Sequence, residues 1–173
     1  MRILPYAFVN KNGAPLWVTM LDEARRRQLI EMYLAYQPRN SFSGLPPIKD
    51  AVCVRWVEKM AATGINLVAL CLGEGLVGHV ALFPIDRVTC EILAVVSPPE
   101  QGLGIGTELI RCAIRLARQR GFRTIRLVVE SSNHIARHVY EKCGFEYLTD
   151  DLAGELDMSL DLRPSTSAVD VAV

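Results

Sequence analysis

Apolar positions along this chain follow two rhythms that give way to each other several times. Residues 3–9 alternate loosely between apolar and polar and end at Asn10-Lys11-Asn12-Gly13. Residues 14–20 then bring Leu16, Val18 and Met20 into phase, so the two runs predict a hairpin closed by an Asn-Gly turn. The period lengthens after that. Leu29, Ile30, Tyr33 and Leu34 recur at helical spacing behind Asp22, a residue type that caps helix N-termini, and Arg25 offers a charge in the next turn. The run Arg25-Arg26-Arg27 has glutamates on both sides and reads as a solvated helix face rather than a basic binding patch. A second helix is predicted over 49–62, with Val52, Trp56, Val57 and Met60 turned inward. Between the helices, residues 37–47 form a loop by composition. It displays Phe42 between two serines, either as a connector or as a wall of an acceptor pocket.

From Gly64 the rhythm becomes that of strands. Residues 66–72 and 76–83 are apolar runs joined by Gly73-Glu74-Gly75, and 90–96 follows the turn Pro84-Ile85-Asp86-Arg87. Three strands on short turns make an antiparallel meander. A glycine-rich stretch comes next, then a helix to about residue 120 with Ile105, Leu109, Ala113 and Leu116 on one face. A strand over 124–129, a helix over 133–143 and strands over 145–148 and 156–162 complete the pattern. Gly121 and Gly144 stand where helices end on a left-handed glycine. No segment repeats another. The chain reads as one α/β domain over 1–162, with residues 163–173 a frayed tail.

Composition narrows the class without deciding it. Half of the 173 residues are apolar and the formal net charge is zero, so bulk electrostatics point to neither nucleic acid nor a membrane surface. No apolar run approaches a membrane span, and residues 1–5 lack the apolar region of a signal peptide. Five cysteines, Cys53, Cys71, Cys90, Cys112 and Cys143, are widely spaced with no C-x-x-C pair. They are expected to be buried free thiols in a reducing cytoplasm, with no metal site.

Chemistry concentrates in Gln101-Gly102-Leu103-Gly104-Ile105-Gly106-Thr107, which lies between the strand 90–96 and a helix. Glycines at a strand-to-helix turn leave backbone N–H groups uncovered at the positive end of a helix, a geometry that cradles an anion, most often phosphate. The same glycines also suit a tight turn that needs positive φ. A P-loop is excluded because no Gly-Lys-Ser/Thr ending is present. A dinucleotide fingerprint would need its third glycine where Thr107 stands. Glu130 can pass for its ribose-binding acid, but the insertion Ser97-Pro98-Pro99-Glu100-Gln101 separates strand from glycines.

A second motif runs from Asn133 to Phe145. Asn133 is an N-cap type, and Ala136 and Tyr140 share a helix face, with the small residue leaving a slot beside the phenol. Alone, this describes a helix packed on a sheet. Together, Val96-x-Pro98-x-x-Gln101-x-x-Gly104-x-Gly106 and Asn133-x-x-Ala136-x-x-x-Tyr140-x-x-x-Gly144-Phe145 resemble the GCN5-related N-acetyltransferase (GNAT) family. The element order is similar as well. The resemblance implies a GNAT fold: a mixed central sheet of about seven strands with four main helices. The strands 90–96 and 124–129 would splay apart to admit acetyl-CoA. Gln101, Gly102, Leu103, Gly104, Ile105, Gly106 and Thr107 would hold its pyrophosphate through their amides. Val95 and Val96 would offer backbone groups to the pantetheine arm, and Asn133 and Tyr140 would also contact the cofactor. The family often carries a basic residue where this chain has Leu103, which removes a cation near the phosphates. Glu100 also stands where a neutral or aromatic residue is expected.

Acetyl transfer to an amine needs a base, a donor for the developing oxyanion and a proton for the leaving thiolate. By resemblance, Glu91 is the base, ten positions before Gln101, relaying through water. A carboxylate in an apolar cleft is tuned toward that task by desolvation. The other reading pairs Glu91 with an arginine on a neighbouring strand. Tyr140 is the expected acid, because a phenol keeps its proton at neutral pH. A strand amide near Val95 or Val96 would meet the oxyanion. His79 is expected as a hydrogen-bonded sheet histidine, and His134 and His138 as a solvated pair. Cys90, beside Glu91, is expected in the core rather than as an acetyl carrier. The expected activity is direct acetyl transfer to a protein lysine or a small amine, with no nucleic acid or membrane partner and a homodimer only as a family habit. The alternatives are a non-catalytic acyl-CoA-binding module and, more distantly, a dinucleotide-binding domain.

Overall fold

In the computed structural model, residues 4–39, 46–148 and 154–163 are described. The first hairpin forms as expected. β1 (Tyr6–Val9) pairs antiparallel with β2 (Pro15–Met20). The buried Asn10 shapes the turn, its Oδ1 accepting from the amides of Asn12 at 3.0 Å and Ala14 at 2.9 Å. Asp22 caps α1 (Glu23–Ala35) by accepting from the Arg25 amide, and it also forms an ion pair with the Arg25 side chain. Arg26 and Arg27 pair with Glu23 and Glu31 on the same helix, so the triple-arginine run is a solvated face. α2 (Asp50–Thr63) buries Cys53, Val57 and Met60. Val52 is exposed rather than inward, because the buried stripe runs through Cys53 and leaves its neighbour on the flank. The loop residue Phe42 and the tail from 164 onward lie outside the described residues.

The meander is β3 (Ile65–Cys71), β4 (Gly75–Pro84) and β5 (Thr89–Val96), each pair antiparallel. A 3-10 turn at Pro98–Glu100 leads to α3 (Ile105–Gln119). Then come β6 (Thr124–Glu130), α4 (His134–Lys142), β7 (Glu146–Tyr147) and β8 (Glu155–Asp161). The sheet has eight strands in the order β1-β2-β3-β4-β5-β6-β8-β7, one more than the expected seven, with the hairpin adding β1 at the edge. Among the described residues β5 and β6 form the one parallel pair, and every other pairing is antiparallel. That makes a mixed, open sheet.

Two apolar clusters cover the two faces. One is built on α3, with Ile105, Leu109, Ala113 and Leu116 facing Val80, Leu82, Cys90, Ile92, Ile125 and Leu127. The other lies under α1 and α2 and includes Leu29, Tyr33, Tyr36, Val57, Val68 and Val95. The cysteines are free thiols: Cys53, Cys71, Cys90 and Cys112 are buried and Cys143 is half-buried. Tyr6 ties the edge strand to α3, its hydroxyl donating to Glu108 at 3.1 Å while the Arg115 guanidinium lies 4.6 Å from its ring centre. None of the described helices is long and apolar enough to cross a membrane.

α3 sits close on the sheet because β4 has a glycine beneath it. A Cβ at Gly78 would fall 2.7 Å from Cδ1 of Leu109, which is itself fully buried. Gly78→Ala is therefore expected to destabilise the fold by about 1–3 kcal/mol through overpacking. A urea denaturation midpoint equal to wild type would refute this account of the α3 seat.

Candidate active site

The site begins where a hydrogen-bond ladder stops. β5 and β6 pair only at Thr89–Thr124, Cys90–Ile125 and Glu91–Arg126, and then part. On its other side β5 stays paired with β4 up to Gly78–Val96. The Ser97 amide donates to the Val77 carbonyl at 2.9 Å, which fixes the phase of that ladder. In an antiparallel pair alternate residues bond to the partner. Val95, opposite His79, therefore turns its amide and carbonyl to β4, whereas those of Ala94 and Val96 face the gap that β6 has left. Sequence reasoning named Val95 and Val96 together; the register puts Ala94 beside Val96 on the open edge. Strand periodicity does not carry this phase, because it depends on which residue of β4 lies opposite.

The glycine stretch caps this gap. Gly102 and Gly104 adopt φ of 75° and 89°, a region that other residues enter only with strain. Gly104 is the N-cap of α3 and supplies no side-chain bond to it. The Gln101 amide is used within the turn, donating to Pro98 O at 3.3 Å. The amides of Gly102, Leu103, Gly104, Ile105, Gly106 and Thr107 have no acceptor outside the helix among the described residues. A Cβ built at Gly102 or Gly104 meets nothing within 4 Å, so the loop faces open space. Leu103 packs against the main core, and its carbonyl accepts from the Lys11 amide at 3.2 Å. The arrangement is a row of N–H groups at the N-terminus of a 15-residue helix.

Candidate catalytic side chains lie on opposite faces of the sheet. By alternation Glu91 shares the α1/α2 face with Leu93 and Val95. Its carboxylate is exposed rather than set in apolar surroundings, and no ion pair joins it to Arg126, its neighbour across the parallel register. Tyr140 belongs to the α3 cluster, packed edge-on against Phe145 at 5.6 Å between ring centres. Burial, with a smaller contribution from Cys143, pushes the Tyr140 phenol up to about 12. Its hydroxyl has no hydrogen-bond partner among the described residues. Asn133 caps α4, its Oδ1 accepting from the Ala136 amide at 3.1 Å, which leaves the carboxamide NH2 group for another partner. Cys143 Sγ lies 3.9 Å from Thr107 O, so the far end of α4 meets the start of α3.

The sequence profile of the Acetyltransferase (GNAT) family matches residues 26–145. The chain belongs to the GNAT acetyltransferase family. Its fold is similar to the GNAT domain of S. lividans PAT, with a TM-score of 0.76 at 17% identity over 90% of this chain and 96% of that one. It is also similar to YncA from Salmonella typhimurium, solved with its cofactor acetyl-CoA, with a TM-score of 0.69 at 21% identity over 91% and 99% of the two chains. A mycothiol acetyltransferase of Rhodococcus erythropolis is 38% identical over 58 residues, 34% of this chain. The chain spans about a fifth of the length of the curated relatives it matches.

GNAT acetyltransferases use acetyl-CoA, and the residues present fit it. The uncovered amides of the glycine loop would receive its diphosphate, and the edge of β5 that no strand covers would receive the amides of its arm. Among the described residues no group of three or more His, Cys, Asp or Glu side chains is placed to hold a metal ion.

His79 sits at the centre of the α1/α2 face but belongs to a closed network. Asn66 Nδ2 donates to the carbonyls of Met60, Ala61 and Gly64, so Asn66 Oδ1 is the acceptor at 2.9 Å from His79 Nε2. The imidazole therefore carries its proton on Nε2, and Nδ1 accepts from the Tyr33 hydroxyl at 2.8 Å. Burial lowers His79 to about 3. It is a structural histidine, as its place in a strand suggested. An unfolded chain takes up this proton as pH falls below the ordinary 6.5, and the folded chain resists until about 3. The network's contribution is whole above pH 6.5 and is lost as pH falls through that window, by roughly 5 kcal/mol in total. Denaturation at a series of pH values is expected to show this acid decline. Tyr33→Phe, which strips Nδ1 of its donor, is expected to cost about 1–3 kcal/mol at pH 7. Wild-type stability that stays level from pH 6.5 to 4 would contradict the assignment.

Proposed function

We propose that this GNAT domain moves an acetyl group from acetyl-CoA directly to a primary amine, on a protein lysine or a small molecule. The observation that carries the reading is the open edge of β5. The Val96 amide and carbonyl face a gap bordered by the glycine loop, with Glu91 on one face of the sheet and Tyr140 on the other. Acetyl-CoA supplies the activated acetyl group and departs as a thiol. Residues 101–107 hold its diphosphate by main-chain N–H groups, and Asn133 holds the arm with its free NH2. Glu91 removes a proton from the ammonium of the acceptor through water, which its exposure permits. The Val96 N–H donates to the carbonyl oxygen as that oxygen gains charge. Tyr140 gives its proton to the leaving sulfur. Its raised pKa keeps the proton available across the neutral range.

The acceptor is proposed only as an amine. The site is assigned to a single domain over residues 1–162.

Release of free thiol from acetyl-CoA, followed over a panel of amines, peptides and proteins, tests the reading. Glu91→Gln and Tyr140→Phe are each expected to lower kcat/KM roughly 10²-fold or more while the protein still binds coenzyme A. Coenzyme A binding with no amine-dependent thiol release would make the domain a binding module. Full turnover by Glu91→Gln at every pH would remove Glu91 from the mechanism.

A further inference from the structure

Tyr36 lies at the C-terminal end of α1, almost wholly buried in the cluster under α1 and α2. Its hydroxyl nevertheless reaches the opposite partner of the site. Gln101 Nε2 donates to Tyr36 Oη at 3.2 Å and to Val96 O at 3.0 Å. A primary carboxamide has two N–H groups, so both are spent, one on each partner. The Val96 carbonyl is the last one of β5 that faces the gap. The carboxamide of Gln101 is thus a staple from the start of the glycine loop to the end of the open strand edge. The loop has two other internal bonds there, Glu100 N to Ser97 O and Gln101 N to Pro98 O, and both are local. Among the described residues, the Tyr36 contact is the hydrogen bond that anchors this turn to the helices on the other face.

We propose that Tyr36 is a positioning residue for the donor site. It acts through Gln101, holding the carboxamide on Val96 O and so setting the loop against the strand edge in the geometry that coenzyme A needs. The inference rests on coenzyme A binding at this loop. The tyrosine does its work from the acceptor side of the sheet, 65 positions away in sequence. The ring is packed, with Tyr33 and Val95 in the same cluster, so removing the hydroxyl alone leaves the packing in place.

The test is calorimetric titration of coenzyme A into wild type, Tyr36→Phe, Gln101→Ala and the double variant, with urea midpoints measured alongside. Losing one neutral hydrogen bond of this kind corresponds to about a fivefold change in binding. Tyr36→Phe is expected to weaken coenzyme A about fivefold and to raise KM for acetyl-CoA by a similar factor, with kcat changed less than about twofold and an unchanged urea midpoint. Gln101→Ala, on an exposed loop, is expected to weaken binding at least as much, and the double variant no more than Gln101→Ala alone. Unchanged affinity in Tyr36→Phe, or losses that add in the double variant, would overturn the inference and leave the proposed function standing. Wild type that binds no coenzyme A would overturn both. Should Tyr36→Phe fold poorly, Gln101→Ala still decides, because an affinity equal to wild type removes the staple from the site.

Discussion

Strand β5 is hydrogen-bonded along its length on one side and at only three residue pairs on the other. Backbone donors and acceptors must be paired wherever water is excluded, and leaving them unmade costs free energy comparable to a lost hydrogen bond each. The edge from Ala94 to Val96 is where this fold departs from strand pairing: no strand faces it there, and the Val96 carbonyl accepts instead from the Gln101 carboxamide. Both neighbouring ladders are regular: β4 follows β5 to Val96, and β8 follows β6 from Thr124 to Glu130. The sheet is therefore two antiparallel halves joined by a short parallel seam. A ligand with amides along an extended arm would complete the interrupted edge, which is why the proposed donor site is placed at this gap.

The gap also answers a problem of topology. Alternation places Glu91 on the face covered by α1 and α2, and α4 carries Tyr140 into the α3 cluster on the other. In a continuous sheet a layer of backbone would separate the proposed base from the proposed acid. Where β6 departs, the two faces communicate through the opening. The polar network of Tyr33, His79 and Asn66 works in the opposite sense. It is closed on itself, with each donor and acceptor assigned, and it stiffens β3 and β4 next to the open strand. A buried imidazole in a fixed tautomer is a poor acid or base at neutral pH, so the proposed proton transfers are assigned to other groups.

Local rules made much of this visible before any coordinates. Asn12-Gly13 closes the first hairpin, Asp22 and Asn133 cap their helices, and Gly121 and Gly144 end theirs with φ of 88° and 92°. Each depends on a residue and its near neighbours, which a sequence displays. The glycine loop was legible for the same reason. What was not legible depends on pairings across the chain. The phase that turns Val96 toward the gap and Val95 away is set by Ser97 meeting Val77. Glu91 is exposed although its strand neighbours are buried, so its environment is not the apolar one that a strand residue suggests. The partners of His79 come from α1 and β3, and the Tyr36–Gln101 contact joins two segments with no shared motif.

Leu103 shows how a departure from a family pattern is read differently once neighbours are known. In sequence it is a missing cation, and residues 97–107 hold no lysine or arginine and one glutamate, Glu100. In the structure the side chain packs into the main core and the carbonyl is held by the Lys11 amide, so the position anchors the loop to the first hairpin. An anion site made only of amides and a helix terminus gains from fixed geometry what it lacks in formal charge, since its dipoles need no reorganisation when the ligand arrives. Such a site is sensitive to backbone conformation and comparatively insensitive to the ionic atmosphere that screens lysine and arginine contacts. The positive φ values of Gly102 and Gly104, the Lys11 bond to Leu103 and the carboxamide of Gln101 on Val96 then serve one end. They hold a short stretch of main chain in a shape that its own sequence, left free, adopts only part of the time.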